Sequence, residues 1–453
     1  MHKTITGAVI LAAFFTTNLA SACLHEPCSL TAENNHYYDD IIPWSSEAMR
    51  DSLHEIIDDH TRFPYTSSET DTWDVLEQAD QDTANSNNIV TIYRNASYLK
   101  RGGGNDFYNR EHTWPKSYGF PDNGAEPNYP YTDMHHLFLA DGDYNFYRSN
   151  KPFASCDSGC LQYATQANEG RGGAGGAYPG DSNWTDGEYT NGRWEVWQDR
   201  RGDIARAMFY MDLRYEGGQH GVTDASEPDL VLTDSVALIA SANSGENEQI
   251  AYMGMLATLL EWHQQDPVDE IELQHHEVVS AYQKNRNPFI DHPEWAACIF
   301  GTDCPVFRIN AGLNDAWYNP ETDGQGFFIT VFPELGVVSL AWFTYDTERP
   351  ADDAQSQLGE PGHRWLTALG SFEGTESVMN IDITSGGLFD TATDIDHTSP
   401  TGADGTITLT FENCNTGSIE YDIPSIEQHG IVPIQRIAND NATLCRKLSL
   451  HSE

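Results

Sequence analysis

Apolar residues return every three or four positions in four stretches of the chain: Ser46 to Asp59, Gly202 to Tyr215, Ile250 to His263 and Glu270 to Gln283. That spacing gathers them on one face, so each stretch predicts an amphipathic helix turned towards a core. Only short strand-like runs lie between, and the segment from about Tyr37 to Phe300 reads as mainly helical. Asn168 to Arg193, rich in Gly, Asn, Asp and Ser, breaks the pattern and predicts a long loop. Near Cys304-Pro305 the character changes. Beyond it, β-branched and aromatic runs cover Gly326 to Val331, Gly336 to Tyr345, Thr406 to Phe411 and Ser418 to Ile423, separated by Gly, Asp and Asn turns. The expected fold class is therefore α+β, with a mainly helical part over residues 23–305 and an antiparallel all-β module over 306–453. A chain of 453 residues is long enough for each part to have a full core.

The first 22 residues read as an export signal, with basic Lys3, an apolar stretch from Ala8 to Phe15 and a small-residue exit at Ala20-Ser21-Ala22. The mature chain is then expected to begin at Cys23. A Cys at that place also fits lipoprotein processing, but that signal prefers Leu where Ala20 stands, so a lipid anchor is the lesser expectation. No other apolar run approaches the ~20 residues that cross a bilayer. The eight cysteines form an even set with no Cys-x-x-Cys spacing, which predicts disulfides in an oxidising compartment rather than zinc. The sequence-near pairs Cys23–Cys28, Cys156–Cys160, Cys298–Cys304 and Cys414–Cys445 are the expected bridges. A secreted destination follows, extracellular or periplasmic.

Charge complicates this picture. With 69 acidic and 24 basic residues, the net charge of −45 should repel a polyanion. Of the 18 cations before position 306, ten fall in or beside the segments described next: Arg101, Arg110, Lys116, Arg148, Lys151, Arg200, Arg201, Arg206, Lys284 and Arg286. They predict a locally basic face on an acidic surface. The acidity spans both parts of the chain and suggests a halophilic protein.

Three segments carry candidate chemistry: "NREHTWPKSYG" at 109–119, "DMHHLFLADGDYNFYRSN" at 133–150 and "QKNRNPFIDHPEW" at 283–295. Glu111 and His112 are neighbours, so they serve one site only if their strand ends there, and Pro115 makes an ending plausible. If the chain is helical from Leu139 to Tyr147, then Asp141, Asn145 and Arg148 share a face. Such a strand end and helix would hold a hard divalent ion and aim a neutral His at water; Mg2+ suits, because it keeps several waters and needs few protein oxygens, with Ca2+ or Mn2+ as substitutes. The tandem His135-His136 reads as a buried hydrogen-bonding pair in preference to a zinc pair. Asn285, Arg286, Asn287 and Asp291 read as a buried polar network.

In combination these segments resemble the bacterial endonuclease I family, in which a His-Me finger places a β-hairpin and a helix around one metal. "NREHTWPKSYG", "DMHHL" with "NFYRSN", "RRGDIARAMFYMDLRY", "WHQQDPVDEIE" and "QKNRNPFIDHPEW" look like its motifs in order, over about Tyr37 to Phe300. The resemblance implies His112 as general base, Glu111 and Asn145 as metal ligands, and Arg148 in support of the phosphate. Arg110, Lys116, Arg206 and Arg286 are the expected substrate-binding cations. It implies a non-specific endonuclease acting on the backbone of DNA, with RNA as a second candidate, and leaving 5′ phosphates. Because imidazole must be neutral to act as a base, activity is expected to fall below a pKa near ~6.5.

Two other classes remain in view. One is a binding protein whose β module does the work, its aromatic opening "GLNDAWYNPETDGQGFFITV" tethering the chain to a surface or matrix polymer; the same aromatics equally suit a β core. The other is a metal-dependent phosphodiesterase for smaller esters. The chain shows no Asp/His cluster suited to two metals, which counts against it.

Overall fold

The computed structural model describes residues 36–121, 128–173, 177–355, 361–397 and 404–450. The export signal and the Cys23–Cys28 pair lie outside the described residues. The chain divides into a short N-terminal unit ending at Asp39 and a second unit, Asp40–Glu453. In the first, Tyr37 and Tyr38 meet edge to face.

Three of the four expected helices form where the spacing places them. Ser46–Ile57 is capped by Ser45, whose side chain accepts from the amide of Ala48, and buries Met49, Leu53 and Ile57 one above another. Glu270–Gln283 is capped by Asp269 and stops at Lys284 in the left-handed conformation. Arg201–Arg214 is enclosed on nearly every side, charged residues included. The fourth expectation is corrected. Ile250–Met253 is a strand, parallel to Asp229–Leu232, and the helix that follows covers only Leu256–Gln265. Gly254 marks the break: a Cβ there would lie 2.0 Å from the carbonyl oxygen of Thr233. A short apolar run suits helix or strand, and a partner from far along the chain decides it.

The long loop is also corrected. Within Asn168 to Arg193, Ser182–Asp186 is the middle strand of a three-stranded antiparallel sheet with Leu161–Ala164 and Arg193–Glu195. Its polar residues are buried yet satisfied: Asn183 donates to the Tyr93 carbonyl at 2.7 Å and accepts from the Trp197 amide at 3.2 Å. Polar composition concealed an interior strand. With two further two-stranded antiparallel sheets, this part of the chain interleaves helices with small sheets.

The C-terminal part is a closed, all-antiparallel barrel of eight strands: Asp315–Tyr318, Gly326–Phe332, Val337–Tyr345, His363–Glu373, Glu376–Asp382, Gly405–Phe411, Thr416–Ile423 and Gln428–Arg436. Each pairs with the next, and Trp317 opposite Arg436 closes the circle. Closure removes exposed sheet edges, and alternation fills the interior: along Gly326–Phe332, Phe327, Ile329 and Val331 point in while Phe328, Thr330 and Phe332 point out. Trp317 and Phe327 belong to this core, so they do not offer the polymer-stacking face raised for the opening motif. The helix Ala442–Leu450 packs across one end, tied by the Cys414–Cys445 bridge. Gly312 is required there, since a Cβ would lie 2.3 Å from Cys445 backbone atoms. Trp44 meets Phe307 of the barrel core edge-on at 4.8 Å, which joins the barrel to the rest.

Cys156–Cys160, Cys298–Cys304 and Cys414–Cys445 are bridged as expected. Among the described residues no helix is long and apolar enough to cross a membrane.

Candidate active site

The site grows from a hairpin. Tyr108–His112 pairs antiparallel with Leu137–Asp141, setting Glu111 opposite Phe138 and His112 opposite Leu137. The first strand ends at His112, as Pro115 suggested, and the two neighbouring side chains are both buried at its end. The second strand, buried along its whole length, runs directly into the helix Gly142–Arg148. A helix through Leu139 to Tyr147 is therefore corrected to a strand–helix junction. Asp141 is not on the helix face; it caps the helix through the amides of Asp143 and Tyr144, and binds Arg94 at 2.7 Å and Tyr98 at 2.6 Å. Asn145 and Arg148 do lie on one helix, three residues apart.

Glu111 is 2% exposed. Its Oε1 accepts from the Tyr93 hydroxyl at 2.8 Å and lies 3.2 Å from Arg148 Nη1. Burial pushes its carboxyl up to about 6, against the pull of Arg148 and Tyr93. Arg148 faces inward. It donates to the carbonyls of His112 at 3.1 Å, Ser149 at 3.2 Å and Thr113 at 2.6 Å, with its guanidinium 4.5 Å over Phe153. It fixes the strand end and Glu111, and in this position it does not reach out to a phosphate.

The Nε2 of His112 lies 2.9 Å from the Tyr131 carbonyl oxygen. A carbonyl only accepts, so Nε2 carries the proton and Nδ1 keeps the lone pair of a base. The ring stacks on Tyr65 at 5.7 Å and lies 5.4 Å from His136. Burial, reinforced by His136, holds the imidazole well below 6.5, so it is neutral at pH 7. The acid limit of activity expected near ~6.5 accordingly moves lower.

Asn145 donates its amide to Asn109 Oδ1 at 2.5 Å and to the Arg110 carbonyl at 3.4 Å. The second acceptor fixes the amide's direction and leaves Oδ1 for another partner. Among the described residues, Glu111 Oε2 likewise has no partner. Two uncommitted oxygens, from the strand end and the adjoining helix, suit a hard divalent ion that keeps most of its waters. A different group, His276, Glu277 and Asp291, also converges. There the guanidinium of Arg286 already binds Asp291 at 2.6 and 2.7 Å and Glu277 at 2.6 Å. A resident cation already pairs with both carboxylates of that cluster.

The expected substrate cations divide. Lys116 is exposed, 5.1 Å over the Tyr131 ring. Arg110 is half-buried between the rings of Tyr65, at 3.3 Å, and Trp73, at 4.2 Å. It donates to the Tyr65 carbonyl and to Thr72 Oγ1 at 2.7 Å. Arg206 is fully buried and paired with both oxygens of Glu272 at 2.7 and 2.5 Å, and Arg286 is 5% exposed. Neither faces a substrate; the expectation of phosphate contact is corrected to internal ion pairing. The basic face thins further, because Arg148, Lys151 and Arg200 are buried too and, of the ten cations near the motifs, only Arg101, Lys116 and Lys284 are exposed.

His135 and His136 are buried, their Nε2 atoms on the carbonyls of Asn285 at 3.2 Å and Pro130 at 2.7 Å. Each ring is thus anchored in the interior through a hydrogen bond, as the reading of a buried hydrogen-bonding pair expects. Asn285 donates to the Ile57 carbonyl and Tyr210, and Asn287 to the Arg206 carbonyl, forming the buried network beneath the site. Tyr93 and the Tyr131 carbonyl were missed from sequence. A backbone oxygen carries no residue signature, and Tyr93 lies 18 positions from Glu111 with no spacing to connect them.

A strand ending in Glu-His, facing a helix that brings Asn, supplies what a phosphodiester-cleaving hydrolase needs: a neutral base beside oxygen ligands. Residues 45–294, more than half of the chain, match the Endonuclease I family, and the chain belongs to it: the protein is a nuclease. It is 38% identical to an extracellular ribonuclease of Bacillus amyloliquefaciens over 269 residues, 59% of this chain and 78% of that protein. It is also 38% identical to an extracellular ribonuclease of Bacillus subtilis (strain 168) over 276 residues, 60% of this chain and 81% of that protein. The barrel begins after the family match ends.

Proposed function

We propose that this nuclease is secreted and cuts RNA and DNA without sequence preference, through the backbone, using His112 as general base. The observation that carries the reading is the locked tautomer of His112: Nε2 is held by the Tyr131 carbonyl at 2.9 Å, which reserves Nδ1 for water. A divalent cation, Mg2+ first, bound by Glu111 and Asn145 would neutralise charge on the phosphate and the departing 3′ oxygen. His112 Nδ1 takes a proton from water, the water oxygen bonds to phosphorus, and the bond to the 3′ oxygen breaks; that oxygen keeps the electron pair and takes a proton from solvent water to become the 3′ hydroxyl. Tyr93 and Arg148 hold the Glu111 carboxylate throughout. Three disulfides and the extracellular relatives support secretion.

RNA moves to equal standing with DNA because both relatives are ribonucleases by name. Water as nucleophile gives the same ends on either polymer, which separates this mechanism from attack by the ribose 2′ hydroxyl. End-group analysis of a cleaved RNA tests it. The expected products carry 5′ phosphate and 3′ hydroxyl; 2′,3′-cyclic or 3′ phosphates would overturn the assignment of His112 to water.

A further inference from the structure

We propose that the site helix and its neighbouring strand carry a base-stacking platform, Phe146 and Tyr147 backed by Tyr163, which makes this nuclease selective for unpaired nucleic acid. The inference rests on the hydrolase reading above and names the substrate form that reading leaves open.

Phe146 is 76% exposed and Tyr147 47% exposed. Both follow Asn145 directly on the same helix and lie on its solvent side, while Arg148 turns inward. They are arranged rather than scattered. Phe146 meets Tyr147 edge-on at 5.4 Å, Tyr147 lies against Tyr163 at 4.9 Å, and Tyr163 meets Tyr144 at 5.5 Å. Tyr144 in turn is pinned by its hydroxyl, which donates to the Ala164 carbonyl. The inner rings are thus fixed by contacts, while Phe146 leaves most of its surface in water, a position core packing does not explain.

The charge census points the same way. A nuclease that gripped duplex DNA by its phosphates would need a row of free cations. Here the net charge is −45 and, among the described cations near the motifs, only Arg101, Lys116 and Lys284 are exposed. Aromatic stacking supplies affinity that charge does not, about tenfold to a hundredfold per base, and it tolerates any sequence because every base has a π face. Bases within a duplex already have both faces covered, so only unpaired ones reach the platform.

The test uses full-length protein and one sequence presented as a single strand and as a duplex, in RNA and in DNA. Phe146→Ala with Tyr147→Ala is expected to raise KM on single strands at least ~10-fold, with little change in kcat and little change on duplex, so that strand preference collapses. Phe146→Trp should keep the preference. Fluorescence anisotropy with chelator present reads binding without turnover and should show the same loss. Equal losses on single strand and duplex, or an unchanged single-strand KM in a protein of unchanged melting temperature, would overturn the proposal. Failure of the hydrolase reading shows separately, as wild-type cleavage that survives His112→Ala.

Discussion

The barrel and the family-matched region bury different kinds of side chain. The barrel interior is a continuous apolar set, Trp317, Ile329, Leu340, Met379, Leu409 and their neighbours, with Arg436 as a rare buried charge. The nuclease region encloses Arg206 with Glu272, Arg214 with Glu227, Arg148 with Glu111, and the histidines His60, His135, His136 and His276. Apolar packing sustains a fold at low desolvation cost. Buried charges stabilise only when every partner is in place, so their presence beneath a site is better explained by the need to fix polar groups in one geometry.

Acid should expose this difference most. Burial holds His60 and His135 down to about 3 and His136 down to about 4, so the folded nuclease region binds fewer protons than the unfolded chain. With folded values below the unfolded ~6.5, their stability contribution is complete above ~6.5 and is lost as pH falls towards the folded values, several kcal/mol in sum. Among the described residues the barrel buries no histidine. Unfolding monitored from pH 8 to pH 4 is expected to show the nuclease region weakening first; simultaneous loss would break the comparison.

Arg206→Ala comes next. It strands Glu272 in the interior and is expected to cost ~3–5 kcal/mol by denaturant unfolding, while Arg206→Met with Glu272→Leu recovers much of it. In the barrel, Leu340→Ala should cost ~2–5 kcal/mol through a cavity alone, with His112-dependent cleavage retained at temperatures where the barrel is still folded. The smallest effect belongs to the barrel's outer wall. Trp365, 60% exposed, should tolerate Ser within about 0.5 kcal/mol.

The same contrast governs what the sequence discloses. Strands such as Gly326–Phe332 are unbroken β-branched and aromatic runs, and their bounds were readable to within a residue or two. His363–Glu373 and Glu376–Asp382 were not recognised, because Arg364, Gly370, Ser371, Ser377 and Asn380 interrupt the run of β-branched and aromatic residues. Leu139 to Asp141 could be taken into a conditional helix over Leu139 to Tyr147, since a strand covered on both faces loses its alternation. The placement of Glu111 and His112 at a strand end beside the helix of Asn145 was legible through motif order, whereas the burial of Arg148, Arg206 and Arg286 was not. A cation that binds phosphate and one that closes an internal ion pair look alike until the carboxylate partner, here 66 positions away for Arg206, is located.

The most direct test is cleavage of supercoiled plasmid and of total RNA by the purified protein with Mg2+, beside His112→Ala and a chelated control. Wild-type protein should nick and then linearise the plasmid and shorten the RNA, with rates at least ~100-fold lower for His112→Ala and no cleavage under chelation. Wild-type rates in His112→Ala, with its fold and disulfides verified, would contradict the assignment of the general base and move the search for the reacting centre away from this hairpin.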